Sequence, residues 1–159
     1  MCSSLTSINF PVCNYIGSDA FHNCSSLISV NFPVCSYIGS NAFSSCNSLT
    51  SINFPICNRI GDRAFNFCRS LTSVNFPICS YIGSYAFNFC SSLTSIILGA
   101  STLCSLKSST AFANTPIATS TLTGTFGSIY VPSSLVTQYQ ADSVWSFYSQ
   151  RITALEDLL

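Results

Sequence analysis

The amino-acid sequence repeats itself over more than half of its length, and the period of this repeat constrains the fold more than any other feature. Four blocks, residues 5–26, 27–48, 49–70 and 71–92, align without a gap. Each reads approximately L-T-S-I-N-F-P-x-C-x-Y-I-G-x-x-A-F-x-x-C-x-S. One block is too short to bury its large apolar side chains, whereas stacked blocks bury them against one another. The period therefore predicts an elongated stack of coils.

Each block also contains a shorter regularity, because the motif F-x-x-C-x-x-[I/L] recurs at half of the block period from Phe10 to Leu93. We therefore expect each coil to have two similar inward-facing sides. The segment L-T-S-I-N-F alternates polar and apolar residues before a proline, which predicts a short strand that pairs in parallel with its neighbours. We interpret A-F-x-x-C as a helical turn or a piece of 3₁₀ helix. It follows a corner where glycine allows a backbone turn that a Cβ would resist. The corner glycines are Gly17, Gly39, Gly61 and Gly83.

The C-terminal part departs from the repeat and predicts a cap. From Ile97 onward the pattern decays, and Ala111-Phe112 repeats the A-F pair at a wider spacing than the block period, which indicates a longer last coil. Residues 128–132 predict a strand, Ser133 or Ser134 begins a helix that runs to about Tyr148, and residues 151–155 predict another strand. We therefore divide the chain into repeats at 1–98, with four full coils and partial ends, and a degenerate last coil with its cap at 99–159.

The first coil has no comparable cap in the sequence. Core side chains at the end of a stack face water unless something covers them. We therefore expect either more repeats before Cys2 or an end-to-end homodimer through the uncapped N-terminal coil.

The repeat resembles the BspA-like (TpLRR-type) leucine-rich repeats of microbial surface proteins. The segments IGSDAFHNC, IGSNAFSSC, IGDRAFNFC and IGSYAFNFC carry the resemblance, which covers residues 5–98. It implies an α/β repeat solenoid, a right-handed coil with short parallel strands on one face, to which the residues after 98 add the predicted C-terminal strand-helix-strand cap. It also implies an extracellular or cell-surface location and a role in recognition and adhesion without catalysis. Two departures are the phenylalanine before proline and a second cysteine where the family more often has valine.

The cysteines follow the repeat. Nine of the ten, from Cys2 to Cys90, are spaced by half of the block period, which places them in two columns. Side chains stacked in a column run parallel, whereas a disulfide needs them to converge, and the C-x₂₋₄-C pairs typical of zinc sites are absent from the sequence. We expect buried free thiols that pack as small apolar groups, and neither a metal nor a cofactor.

Charge and reactive residues argue against several functions. Five Lys plus Arg balance five Asp plus Glu, so no basic face for nucleic acid is expected. Polar residues interrupt every apolar run, so we expect no membrane insertion, and the first residues given do not predict a signal peptide. His22 lies two residues from Cys24, but the matching positions of other coils hold Ser or Asn. We therefore predict no catalytic residue.

Two outward-facing sets of side chains are candidate binding surfaces. The strand face carries an uncharged hydrogen-bonding ladder, for which the alternative is a solvated face that keeps the sheet soluble. Its members are Ser7, Asn9, Ser29, Asn31, Ser51, Asn53, Ser73 and Asn75. An aromatic patch is predicted toward the C-terminal coils, and its alternatives are burial under the cap helix or a stack between coils. Its members are Tyr81, Tyr85, Phe67 and Phe89.

A further outward column is interpreted as mainly structural. It consists of Tyr15, Tyr37, Arg59 and Tyr81, which predicts stacking and a cation–π contact between coils.

Together these features favour a non-enzymatic binding or adhesion module with a protein or glycan partner. The alternative is a structural spacer, or the terminal segment of a larger surface or phage-particle protein, with no ligand of its own.

Overall fold

The computed structural model describes residue 2 and residues 4–118 and 126–158. Within them the chain winds into stacked coils, and each repeat contributes one strand to each of two sides of the stack. The first side, called the strand face, is built from seven parallel strands. These are β1 (Ser7–Asn9), β3 (Ser29–Asn31), β5 (Ser51–Asn53), β7 (Ser73–Phe76), β9 (Ser95–Leu98), β11 (Ser128–Val131) and β12 (Ile152–Ala154).

The second side is a continuous five-stranded parallel sheet, which the sequence analysis did not anticipate. Its strands are β2 (Tyr15–Ile16), β4 (Tyr37–Ile38), β6 (Arg59–Ile60), β8 (Tyr81–Ile82) and β10 (Ser105–Leu106). Equivalent residues of successive repeats pair with each other, as in Tyr15 with Tyr37. The strand face, by contrast, is divided into two sheets, β1-β3-β5 and β7-β9-β11-β12.

The third side of each coil is the turn side, and here the predicted helical turn or 3₁₀ piece is wrong. Asn41 and Ser45 have φ angles of 55° and 64°, and these left-handed residues interrupt any helix. Their N–H groups point to the next coil instead: that of Asn41 donates to the Asp62 carbonyl at 2.9 Å, and that of Ser45 to the Asn66 carbonyl at 2.7 Å. The turn side is therefore a third ladder of hydrogen bonds between coils.

The core consists of side chains that meet their equivalents in the neighbouring coil, as the period predicts. One phenylalanine file is continuous, with ring centroids 5.2 Å apart between Phe21 and Phe43 and 5.5 Å apart between Phe87 and Phe112. The last of these contacts confirms that the wider spacing before Phe112 marks one longer coil. Eight of the ten cysteines are buried as free thiols, while Cys2 is exposed and Cys13 is half-buried.

The corner glycines are required for a reason other than the predicted one. Cβ atoms built on Gly39 and Gly61 would lie 2.6 Å and 2.7 Å from backbone atoms of the preceding coil. The coil spacing, not a special backbone turn, therefore excludes a side chain there. Gly17, in the first coil, meets nothing closer than 3.9 Å.

The cap has the predicted strands, but the predicted single helix is wrong. The chain forms a 3₁₀ turn at Ser133–Leu135, helix α1 at Val136–Ala141 and a kinked 3₁₀ segment at Trp145–Arg151. No side-chain hydrogen bond from Ser133 or Ser134 caps these elements at their start. The helix ends because Asp142 is extended, with ψ at 142°, and its Oδ1 accepts hydrogen bonds from the N–H groups of Val144 and Trp145. Asp142 thus ends one helical element and begins the next.

Three aromatic side chains of the cap close the end of the last coil. Trp145 Nε1 donates to the Cys104 carbonyl at 2.6 Å, and the Cys104 N–H donates to Tyr139 Oη at 2.9 Å. The Tyr148 hydroxyl donates to the Ser109 carbonyl, and its ring packs edge-on against Phe112. The cap therefore covers the last core rings and pairs the backbone groups that have no following coil. Among the described residues, none of the helices is long and apolar enough to cross a bilayer.

Candidate binding surfaces

The predicted polar ladder lies on the strand face, with its Ser and Asn side chains exposed or half-exposed. Asn31 Nδ2 donates to Asn9 Oδ1 at 2.9 Å, and Asn53 Nδ2 donates to Asn31 Oδ1 at 2.6 Å. These three amides therefore use part of their hydrogen-bonding capacity on one another. The bonds hold the first three coils of the ladder in register, and polar edges still face the solvent.

The strand face is interrupted between the third and fourth coils, a feature that the sequence analysis missed. A cleft of about 180 Å³ separates β5 from β7 there. It is lined by apolar and hydroxyl side chains, including Ser51, Ile52, Ser73, Val74 and Ile97. No signal in the repeats marks this boundary, because the blocks on its two sides read alike.

The residues of the predicted aromatic patch occupy two different sides of the stack. Phe67 and Phe89 lie on the turn side, where their rings stack in parallel with centroids 4.7 Å apart. Phe89 is exposed and Phe67 is half-buried. Tyr85 is also exposed on that side, with the Arg63 guanidinium 5.2 Å from its ring centroid. Tyr81 lies in β8, on the second sheet.

The column predicted to stack along the second sheet does so. The rings of Tyr15 and Tyr37 are parallel with centroids 4.9 Å apart, and the Arg59 guanidinium lies 3.8 Å from the ring centroid of Tyr81. These contacts join neighbouring coils, as the structural interpretation of this column requires.

A charged pair lies at the edge of this column. Lys107 Nζ is 2.7 Å from Asp62 Oδ2, and the Ser84 N–H donates to Asp62 Oδ1 at 2.9 Å. Partial burial alone would raise the pKa of Asp62, but these two donors outweigh it and lower the pKa. The carboxylate links its own coil to the two that follow.

An aliphatic file was also missed by the sequence analysis. The residue between proline and cysteine is valine or isoleucine in every repeat, and all four side chains are exposed. They are Val12, Val34, Ile56 and Ile78. Their constant apolar character is visible in the repeat, but the adjacent cysteine file belongs to the core, and the sequence does not show that this position faces outward.

The residues that the structure describes show no arrangement typical of catalysis. His22 is exposed and Cys24 is buried, so the two side chains lie in different environments. In the same part of the chain, no three His, Cys, Asp or Glu side chains are grouped as metal ligands.

Stacked parallel coils with short strands, four of which have a glycine corner, define the class of the protein as a leucine-rich-repeat solenoid. Six copies of the BspA type leucine rich repeat region match residues 14–133. The chain belongs to this family. A comparison with curated proteins finds no significant match.

Two solved structures are similar to the chain. The leucine-rich repeat protein of T. pallidum is 26% identical with a TM-score of 0.66, over 79% of this chain and 58% of that protein. A leucine-rich repeat protein from Bacteroides ovatus is 28% identical with a TM-score of 0.69, over 90% of this chain and 36% of that protein. The chain therefore spans little more than half of the first protein and about a third of the second.

Proposed function

We propose that the chain is a non-enzymatic binding module that recognises a protein or glycan partner outside the cell, and that the Phe67–Phe89 stack contacts this partner. The observation that carries the proposal is that large aromatic side chains occupy backbone positions that disfavour them. The resemblance of the repeats to those of microbial surface proteins supports the extracellular location.

The backbone at these positions is left-handed in every coil. Phe67 and Phe89 have φ angles of 60° and 57°, and the equivalent residues of the first two coils are Asn23 and Ser45, at 60° and 64°. Asparagine tolerates this conformation, whereas for a bulky residue with a Cβ it costs about 1–2 kcal/mol. Strain of this kind concentrates at functional sites. Two phenylalanines at such positions are better explained by a contact that needs them than by the folding of the turn.

The surroundings of the stack have the composition of an interface. Arg69 lies 5.4 Å from the ring centroid of Phe67, and Arg63 and Tyr85 lie on the same side. Aromatic and arginine side chains are enriched in interface cores and among the residues that contribute most to affinity. The polar ladder of the strand face is a second candidate contact surface in the same role.

The experiment is to probe protein and glycan arrays with the labelled chain and with the double variant Phe67→Asn, Phe89→Asn. We expect a partner bound by the unchanged chain to be lost by the variant. The free energy of unfolding should change by no more than about 1 kcal/mol, because the lost stacking is offset by the relief of strain. Ser45→Asn, in the same column of an earlier coil, is the matched control and should bind normally. Equal binding by the double variant would refute the assignment of the stack.

The alternative role, a structural segment, is favoured by the apolar end of the first coil. Phe10 is 48% exposed, whereas its equivalent Phe32 is 1% exposed, and Phe10 and Phe21 line a cleft of about 190 Å³. We propose that this end also pairs with a second copy of the chain, end to end.

Sedimentation over a range of concentrations tests this pairing. We expect a dimer that Phe10→Asp abolishes and that Val12→Asp leaves intact, since Val12 is exposed but does not line the cleft. A monomer at every concentration would contradict the pairing, and it would leave the binding role as the better account.

A further inference from the structure

One boundary between coils is open on the strand face while it is closed on the other two sides. Across the boundary between the third and fourth coils, the Ser80 N–H donates to the Asn58 carbonyl at 2.8 Å in the second sheet. On the turn side, the Phe65 N–H donates to the Ala86 carbonyl, also at 2.8 Å. The two coils are therefore held together along two edges and diverge along the third.

At the strand-face boundaries on either side of this one, the residue that precedes the strand donates to the preceding coil. The N–H of Thr50 donates to the Ile28 carbonyl at 2.9 Å, and that of Thr94 to the Thr72 carbonyl at 2.9 Å. Over residues 49–76, all of which are described, no equivalent bond joins Thr72 to Thr50. The N–H of Thr72 and the carbonyl of Thr50 thus lack the backbone partners that their counterparts have.

The same interruption appears at the other end of these strands. The Phe32 N–H donates to the Asn53 carbonyl at 3.0 Å, but within the same described range the Phe54 N–H has no such bond to Asn75. The ring centroids of Phe32 and Phe54 are 5.4 Å apart, and over the described residues 49–76 no such contact joins Phe54 to Phe76. The backbone ladder and the side-chain file are therefore broken at one and the same place.

The opening extends inward to the apolar layer. Ile52 is half-buried, whereas the equivalent side chains Val30 and Val74 are each 3% exposed. The cleft thus has an apolar floor formed by Ile52 and Val74, a hydroxyl rim formed by Ser51 and Ser73, and two facing backbone edges. None of the side chains that line it is charged.

We propose that this cleft binds an extended peptide segment of a partner protein, which inserts as an additional strand between β5 and β7. Open backbone donors and acceptors on facing strands are what an added strand satisfies. The inference rests on the proposed binding role and specifies a class of partner for it, on a surface separate from the Phe67–Phe89 stack.

The cleft also defines the kind of peptide that fits. In a strand, alternate side chains point to opposite faces. The peptide therefore places small or β-branched apolar residues toward Ile52 and Val74, and uncharged polar residues outward beside Ser51 and Ser73. Full insertion requires β5 and β7 to stand about 9.6 Å apart, which is twice the usual spacing of neighbouring strands. The continuous second sheet acts as the hinge for this opening.

The probe is a peptide with the sequence of residues 49–54, LTSINF, carrying one added lysine at each end for solubility. Calorimetric titration into the full chain should give one binding site. The same peptide with N-methyl groups on alternate residues should bind roughly tenfold more weakly or not at all, because it loses hydrogen-bond donors along one edge. Absence of binding by the unmodified peptide, or equal binding by the methylated one, would overturn the proposal.

Proline substitutions distinguish the cleft from the outer edge of β1, where the sheet β1-β3-β5 begins. Thr72→Pro removes a donor at the cleft and should weaken binding about tenfold, whereas Thr6→Pro, at the same repeat position beside β1, should leave it unchanged. If Thr6→Pro weakened binding and Thr72→Pro did not, the peptide would bind at the outer edge of β1, and its assignment to the cleft would be refuted. Circular dichroism checks that both variants fold. If Thr72→Pro does not fold, the comparison of the unmodified and methylated peptides on the unchanged chain tests the proposal.

Failure of this inference is separable from failure of the proposed function. The variant Phe67→Asn, Phe89→Asn should retain peptide binding, because its changes lie on the turn side. If the double variant loses its array partner and still binds the peptide, both assignments are supported. If the unchanged chain binds an array partner and does not bind the peptide, only the assignment of the cleft is refuted.

Discussion

Single residues determine how closely the coils approach, and glycine at the corner is the clearest case. Each of the four repeat blocks has this glycine, but the space around it differs between coils. In the second to fourth coils a Cβ would clash with the preceding backbone, whereas in the first coil it would not.

A pair of alanine substitutions tests this difference. Gly61→Ala places a Cβ 2.7 Å from backbone atoms of the preceding coil and should cost about 1–3 kcal/mol of the free energy of unfolding. Gly17→Ala should be neutral, since its nearest contact is at 3.9 Å. Urea denaturation of the two variants measures both effects. An equal loss in both would show that the glycines serve a backbone turn instead.

The two cysteine files differ in what their thiols do. Cys68 Sγ donates to the Phe43 carbonyl of the preceding coil at 3.1 Å, and Cys90 Sγ does the same to Phe65. Cys35 Sγ instead donates to the Tyr37 carbonyl of its own coil. The thiols of the first file therefore hydrogen-bond to backbone carbonyls of the preceding coil. In the second file a thiol contact between coils occurs at its end, where Cys104 Sγ lies 4.0 Å from Cys79 Sγ.

Burial of these thiols makes stability depend on pH. Burial raises the pKa of Cys46 and of Cys90 to about 12 from the ordinary value of 9.0. The folded chain therefore keeps protons that the unfolded chain loses above pH 9. Stability should be constant up to about pH 8 and then fall, by about 1 kcal/mol per thiol at pH 10.

Urea unfolding under reducing conditions at pH 7 and pH 10 measures the fall. Cys46→Ala should show a smaller difference between the two pH values. Equal stability at both would mean that these thiols are accessible to solvent in the folded chain.

At the scale of elements, Asp142 determines where the cap helix stops. Asp142→Ala removes the acceptor of the Val144 and Trp145 N–H groups and should cost about 1 kcal/mol, whereas Asp142→Asn should restore most of it. Thermal unfolding compares the two. If asparagine were as damaging as alanine, the charge and not the hydrogen bonds would matter.

The elements differ in how far the sequence predicts them. Strands on the strand face follow from the alternation in T-S-I-N-F, and the last coil follows from Ala111-Phe112. The two-residue strands of the second sheet are too short to leave a pattern. The turn side was mistaken for helix because A-F-x-x-C has helical spacing, while left-handed φ angles at residues such as Arg63 leave no trace in composition.

At the scale of the whole molecule, the period predicts the stack, its parallel register and its shared core. It also predicts the polar ladder as a set of positions, whereas the four residues of the predicted aromatic patch lie on two different sides of the stack. It does not predict the open boundary, because Ser51-Ile52-Asn53 and Ser73-Val74-Asn75 are nearly the same sequence. The difference arises from pairing: β7 belongs to the sheet that ends in the cap, while β5 belongs to the sheet that begins at β1.

Over the described residues 4–114, each coil is joined to the next along three sides, except at the boundary between the third and fourth coils, where the strand face is open. Hydrogen exchange of single backbone amides, followed by NMR in the free chain, tests this most directly. We expect the amides of Thr50 and Thr94 to exchange slowly and that of Thr72 to exchange at least about tenfold faster, although all three occupy the same repeat position. Equal protection of the three amides would show a continuous strand face and contradict the open boundary.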